Sequence, residues 1–336
     1  MKLIENLSVV PLEEILTTLK EFDVFVSCGS FEERCVRSST IFLDKRIEIR
    51  DSIIFNYKET DPRNKKGENI DKIRKILDQV SQNVCIFDTG SVSLPSEGIK
   101  RFLEYLEGNN FDLSGRRVVV DITVFTKPYF FLLFKTLREK FGMSRFHVVY
   151  TEPEGYKDRE PDTGDIVLTE GLDRVETIPG FFGSCVHSRD TLIVILGFEG
   201  KRSMEVFHAV SPQTTYAVNG FPSYQPGWHR ISLEANMRFL MESKATDHLY
   251  FAPAIDPFET AKALSYIVKR DEINKDSNII VAPLGTKMQA FGTLLYSLKN
   301  VSAKVIYPFP STYKADYSYG HGPTWICKVN LDTCDV

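Results

Sequence analysis

One pattern occurs twice in this chain of 336 residues. Tyr150-Thr151-Glu152-Pro153-Glu154-Gly155-Tyr156 closes one apolar run, and Tyr307-Pro308-Phe309-Pro310-Ser311-Thr312-Tyr313 closes another, with Tyr, Pro and Tyr at matching places. Upstream of each, a strand-like run leads through a short loop to Thr-Lys and an amphipathic segment. The first runs from Val118-Val119-Val120-Asp121 to Thr126-Lys127, the second from Ile279-Ile280-Val281-Ala282 to Gly285-Thr286-Lys287. Further upstream, Phe31-Glu32-Glu33-Arg34 is echoed by Phe198-Glu199-Gly200-Lys201-Arg202. Identical residues recurring in one order argue for a duplicated unit. Such a duplication is expected to build one composite site where its copies face each other.

Each half reads as five short runs rich in Val, Ile and Phe with helical segments between them. In the first half the runs are 24–26, 53–55, 84–87, 118–120 and 147–150, with helices over 33–42, 69–80, 96–106 and 128–141. In the second they are 192–196, 215–218, 248–252, 279–282 and 305–307, with helices over 203–209, 233–243, 257–269 and 288–298. Continuous apolar runs alternating with helices indicate a parallel sheet covered on both faces. The expected fold class is therefore α/β, two Rossmann-like parallel-sheet units in tandem related by a pseudo-two-fold. The expected boundaries are 1–156, a connecting segment over 157–186 and a second unit over 187–336. Pro161, Gly164, Gly171, Pro179 and Gly180 interrupt the connection. A hairpin of 166–168 with 174–176 is expected there, and an edge strand over 325–329.

Composition removes several function classes. A net charge of -4 disfavours duplex DNA binding, which calls for a strongly basic surface. A local basic pocket is still compatible with it. There is no apolar run of membrane-spanning length and no signal-peptide pattern at the N-terminus. The six cysteines and six histidines are scattered without metal-ligand spacing. The expectation is a reduced, cytoplasmic protein without disulfides, metal or membrane partner. No G-x-G-x-x-G or Walker sequence follows any strand, so no dinucleotide or other cofactor is expected.

In an open parallel sheet, ligands sit beyond the carboxyl ends of the strands, near the point where strand order reverses. That places the candidates in the loops after strands one and four of each half. Ser30 and Arg34 follow the first strand, with Glu199 and Arg202 as their counterparts. Asp121, Thr123 and Lys127 follow the fourth, with Gly285, Thr286 and Lys287 as counterparts. A hydroxyl and a Lys beside helix-terminal amides suit a phosphate. The same residues also serve as helix caps and a snorkelling cation. Two further loops contribute candidates. The loop 219–230 carries aromatics for stacking on a base, and 57–66 carries Arg63, Lys65 and Lys66. Cys28, ahead of a helix start, is a possible nucleophile, and His187, His229 and His321 lack distinguishing context. No catalytic residue is assigned.

Asp121-x-Thr123-x-x-x-Lys127 resembles the core motif of CARF domains, which follows the fourth strand of that Rossmann-like fold. Gly285-Thr286-Lys287 is similar to a turn found at the equivalent place in some members, although Ala282 and Pro283-Leu284 depart from the motif. SAVED domains fuse two CARF-like units in one chain. The resemblance implies cyclic-oligonucleotide binding in prokaryotic antiviral signalling through a separate effector or complex partner. Thr123, Lys127, Thr286 and Lys287 would then hold phosphates, Ser30, Arg34 and Arg202 the opposite rim, and Asp121 would order the first loop. Two alternatives stand beside this: a metal-independent phosphodiesterase that opens the ring (a ring nuclease), and a scaffold subunit with degenerate clefts.

Overall fold

The protein is described from a computed structural model that covers residues 9–58, 64–157, 166–314 and 317–333. The first part of the chain runs β1 (Val9–Pro11), α1 (Leu12–Ile15), β2 (Glu21–Cys28), α2 (Arg37–Asp44), β3 (Glu48–Lys58), α3 (Lys65–Leu77), β4 (Ser81–Ser91), α4 (Pro95–Gly108), β5 (Val118–Asp121), α5 (Lys127–Phe141), β6 (Arg145–Thr151) and β7 (Gly155–Tyr156). It continues with β8 (Thr169–Thr177), β9 (Asp190–Ile195), α6 (Gly200–Val210), β10 (Thr214–Gly220), α7 (Trp228–Ala235), α8 (Met237–Glu242) and β11 (Leu249–Ala252). The last elements are α9 (Pro257–Arg270), β12 (Asn278–Pro283), α10 (Lys287–Lys299), β13 (Lys304–Tyr313), β14 (Ser318–Tyr319) and β15 (Thr324–Asn330). The chain divides into two compact units, Met1–Lys157 with Ser318–Cys334, and Asp158–Tyr317.

The first unit is built on a sheet of order β1-β15-β6-β5-β2-β3-β4. Strands β2 to β6 are mutually parallel, and order reverses between β2 and β5. The second unit repeats this as β11-β10-β9-β12-β13-β8, with the reversal between β9 and β12. Both are Rossmann-like, and each adds an antiparallel strand outside its fifth parallel strand. In the first unit that strand is β15, pairing Ile326 with Val149. In the second it is β8, pairing Val175 with Pro308.

These added strands explain where the sequence expectation differs. The sequence assigns the C-terminal segment to the second unit, but 324–330 joins the first sheet, where Ile326, Cys327 and Val329 are buried. The connecting segment forms no hairpin between 166–168 and 174–176. Its strand β8 lies along β13 instead, mostly exposed, so the alternation that marks a half-buried strand is missing. Pro308 and Pro310 fall where β13 is paired only with β8, and the register shifts between Phe309 and Pro310. A strand paired on one side tolerates the missing donor of proline.

The first core is aromatic. Phe55 packs against Phe102 at 4.9 Å, Phe125 at 5.2 Å and Phe87 at 5.3 Å between ring centroids. Phe25 meets Phe42 of α2 at 5.0 Å. The second core is mainly aliphatic, with Leu192, Val194, Leu196, Val206, Ile280 and Phe239 buried together. One helix expected over 233–243 is instead two, parted at Asn236. This residue is fully buried and donates to the carbonyls of Gly197 at 2.7 Å and Ser232 at 2.8 Å, while accepting from Ser203 at 2.6 Å. A buried amide satisfied across two elements fixes the break. No helix among the described residues is long and apolar enough to cross a membrane.

Gly200 opens α6 against the end of α7, where a Cβ would stand 1.7 Å from the Ala235 carbonyl oxygen. Backbone cannot yield as a flexible side chain does, so Gly200→Ala is expected to destabilise the second unit by about 3 kcal/mol or more. The chain has two tryptophans. With Trp325→Phe as background, Trp228 fluorescence in a urea titration reads this loss directly.

Candidate functional site

In the first unit, the loops beyond β2 and β5 flank the reversal of strand order. Asp121 ends β5 and is buried. One carboxylate oxygen accepts from the Thr123 amide at 2.8 Å, an Asx-type turn, and the other accepts from the Ser38 hydroxyl of α2. Thr123 is fully buried and its hydroxyl accepts from the Thr151 amide at 2.9 Å. The Thr151 carbonyl in turn accepts from Arg34 at 2.9 Å. The structure therefore brings Asp121, Thr123 and Arg34 together, as a brace that holds both backbone groups of one residue, Thr151, at the end of β6.

Arg34 is itself enclosed, with side-chain exposures of 4% for Arg34 and 5% for Glu32, its ion-pair partner at 2.8 Å. Glu32 also accepts from Ser318 at 2.6 Å. The pair thus ties the loop after β2 to the returning C-terminal segment. Ser30 accepts from the Glu32 amide at 3.3 Å, and its carbonyl accepts from Asn69 of α3 at 2.9 Å. Gly29 is required by packing, since a Cβ there would lie 2.2 Å from Ile70. Lys127, half-buried, opens α5.

The second unit uses the echoed residues for the same task. Glu199 accepts from the Leu168 amide at 3.1 Å and the Thr169 amide at 3.0 Å, and from the Thr169 hydroxyl at 2.7 Å. Arg202 donates to the same hydroxyl at 2.6 and 3.0 Å, to the Gly171 carbonyl at 2.7 Å and to Glu205 at 2.8 Å. Burial pushes the Glu199 carboxyl up, against the pull of Thr169 and Arg202. Glu199 and Arg202 thus meet through Thr169 and hold β8 on the sheet.

Thr286 and Gly285 are equally committed. The Thr286 hydroxyl accepts from the Gln289 amide at 3.1 Å and donates to the Ala254 carbonyl at 2.6 Å, while the Gln289 side chain accepts from the Thr286 amide at 3.2 Å. This is a complete capping box. Gly285 is forced by closeness, because a Cβ would stand 2.5 Å from the Gln289 side-chain oxygen. Lys287 is half-buried at the start of α10.

The remaining candidates are placed as follows. Cys28 is buried at the end of β2 with its thiol 3.5 Å from the Gly29 carbonyl. Lys66 donates to the Tyr57 carbonyl, and Arg63 lies outside the described residues. In the loop after β10, Phe221 is 50% exposed and packs edge-on against His229 at 5.0 Å and Phe251 at 6.2 Å. Among the described residues, no three His, Cys, Asp or Glu side chains cluster to hold a metal ion. Sequence reasoning missed Glu32, Thr151, Thr169 and Gln289 as structural partners. Only Gln289 carried a signal, the T-x-x-Q spacing of a capping box.

Glu152, missed as a titrating group, is buried after β6 and accepts from the Trp325 indole at 2.7 Å. Burial pushes its carboxyl from 4.5 up to about 7. Between these values the folded chain holds a proton that the unfolded chain has released, so the group's contribution to stability falls as pH rises through this window. Glu152→Gln keeps an acceptor for Trp325 and removes the titration. It is expected to match the wild type near pH 4.5 and to exceed it above pH 7 in urea titrations. Arg34→Ala strands a buried carboxylate and is expected to cost about 3–5 kcal/mol. Trp325 fluorescence in a Trp228→Phe background reports it.

No protein-family model and no curated protein matches the chain. Its fold is similar to that of a Type III CRISPR defence DNA nuclease activated by cyclic oligoadenylate, with a TM-score of 0.51 at 8% identity. The match covers 85% of this chain and 65% of that one, so the chain spans just under two thirds of that nuclease's length. A universal stress protein from Archaeoglobus fulgidus aligns over 86% of this chain and 96% of its own, at a TM-score of 0.22 and 10% identity. That second value is too low to bear on the fold.

Proposed function

We propose that the chain is a recognition module for a nucleotide ligand, a cyclic oligonucleotide, in antiviral defence, and that it acts through a separate partner protein. One observation carries this reading. Each unit places a Thr-Lys pair at the start of the helix that follows its fourth parallel strand, beside the reversal of strand order. Helix N-termini favour anions through their exposed amides and dipole, and an ammonium beside them adds a charge-assisted bond to phosphate. The fold likeness to a nuclease activated by cyclic oligoadenylate supports the choice of ligand class.

Within this reading the ammonium at a helix start, Lys127 in the first unit, is the cation that meets the phosphate. Asp121, Thr123 and Arg34 keep the first loop in shape, and Glu199 and Arg202 hold the edge of the second sheet. Ser30 and Gly285 set the backbone of their turns. The brace hydrogen bonds of Asp121, Thr123, Arg34, Glu199 and Thr286 run to other partners, so Lys127→Ala with Lys287→Ala is expected to fold and to lose ligand.

The test is a thermal-shift titration with cyclic and linear oligoadenylates of several sizes, each mixture chromatographed afterwards. A ligand at 100 times its Kd adds about 2.7 kcal/mol of stability, a rise of several degrees. The expected result is a rise with one cyclic ligand, recovered intact, and at least a tenfold loss of affinity in the double variant. Steady loss of ligand would make the protein a ring-opening enzyme. The absence of any shift would overturn the recognition reading and leave a scaffold.

A further inference from the structure

The two Thr-Lys helix starts are not equivalent. In the second unit the Thr286 hydroxyl is used on both sides, and its helix is closed by Gln289. In the first unit the residue three places after Thr126 is Tyr129, so no capping box can form, and no side chain caps α5. Pro128 follows Lys127 and brings no amide hydrogen to the first turn.

What lies beside this open helix start is unusual. The Thr126 side-chain oxygen is buried and has no hydrogen-bond partner. The Tyr57 hydroxyl is likewise buried and unpartnered, on a residue only 3% exposed. Its ring lies beside Phe125 and Tyr129, on either side of the start of α5, and its phenol reaches both the Thr126 backbone and the Cys28 thiol without a hydrogen bond of good geometry to either. The Tyr129 ring, 4.6 Å away, shows the alternative, because its own hydroxyl donates to the Ser91 carbonyl at 2.7 Å. Buried hydroxyls without partners are rare in folded proteins and call for an explanation.

We propose that the duplicated units have divided their labour. The first unit holds a phosphate or phosphodiester group at the start of α5, with Thr126 and Tyr57 as its hydroxyl donors beside Lys127. The second unit's Thr286-Lys287 is a structural cap that takes no anion. Burial holds the Tyr57 phenol well above its ordinary value, so it keeps a proton to donate at neutral pH. A phosphate oxygen accepts from such hydroxyls and from helix-terminal amides at once. The assignment rests on the reading that these helix starts serve a phosphate, and it adds two residues outside the Asp121, Thr123, Lys127 pattern.

The test compares four single variants, Thr126→Val, Tyr57→Phe, Thr286→Val and Lys287→Ala, by calorimetric titration with inorganic pyrophosphate and with a cyclic oligoadenylate. Thr126→Val and Tyr57→Phe remove unpartnered groups, so their melting temperatures stay at or above wild type while affinity falls, tenfold or more for Thr126→Val. Thr286→Val breaks the capping box, so it melts earlier yet binds within twofold of wild type at a temperature where it is folded. Lys287→Ala binds within twofold as well. Binding that is unchanged in both first-unit variants, or that falls as far in Lys287→Ala, overturns the division while leaving nucleotide recognition standing. Pyrophosphate binding that depends on Thr126, with no response to the oligoadenylate, sustains the anion site and removes the proposed nucleotide ligand. A wild type that binds neither probe overturns both.

Discussion

A five-stranded parallel sheet that ends at its fifth strand leaves a row of backbone donors and acceptors exposed along that edge. Both units meet this constraint in the same way, by laying an antiparallel strand outside the fifth. The strand comes from opposite directions along the chain: β15 follows everything else, and β8 precedes its own unit. Neither belongs to the five-strand repeat; buried charge holds β8 directly and ties down β14, which leads into β15. Glu32 and Arg34 reach Ser318 and the end of β6. Glu199 and Arg202 reach Thr169 and Gly171. Removing one member of such a group leaves the other charge unpaired in a dry environment, which is why these echoed residues are structurally expensive to change.

The same braces decide which groups would be left to meet the proposed ligand. A guanidinium already donating to a carboxylate and a backbone carbonyl has little left to offer a phosphate, and a hydroxyl in a capping box has already been used. What distinguishes one helix start from another is then local chemistry. Gln289 satisfies Thr286, whereas Tyr129 turns its hydroxyl toward Ser91 and leaves Thr126 without a partner. A Thr-Lys pair that occurs twice therefore conceals a difference that lies two residues further on.

Much of this was legible in the residues. The runs around Val24, Ile53, Val118 and Val148 are apolar and β-branched because strands covered on both faces bury every side chain. Strands of that kind announce themselves without alternation, and their spacing by amphipathic helices gave the parallel sheets. The placement of Asp121 and Lys127 on either side of a strand-to-helix loop was also readable, because loop and helix starts have their own residue signals. The roles of Arg34, Glu199 and Arg202 were not. Whether an arginine meets a ligand or is spent inside the protein depends on partners far away in sequence, such as Thr151 for the first and Thr169 for the others.

The sequence by itself determined the two α/β units, their order of strands and helices, and the position of the loops beyond the fourth strands. These follow from local periodicity and turn chemistry, which a chain carries at short range. Only the tertiary structure decided that the C-terminal strand enters the first sheet between β1 and β6, that the connecting segment closes the second, and that the repeated Glu and Arg residues are clamps. It also decided that Thr286 is satisfied while Thr126 and Tyr57 are not. Edge pairing and hydrogen-bond satisfaction are settled by which backbone and side-chain groups come within reach after collapse, and no short stretch of sequence specifies that.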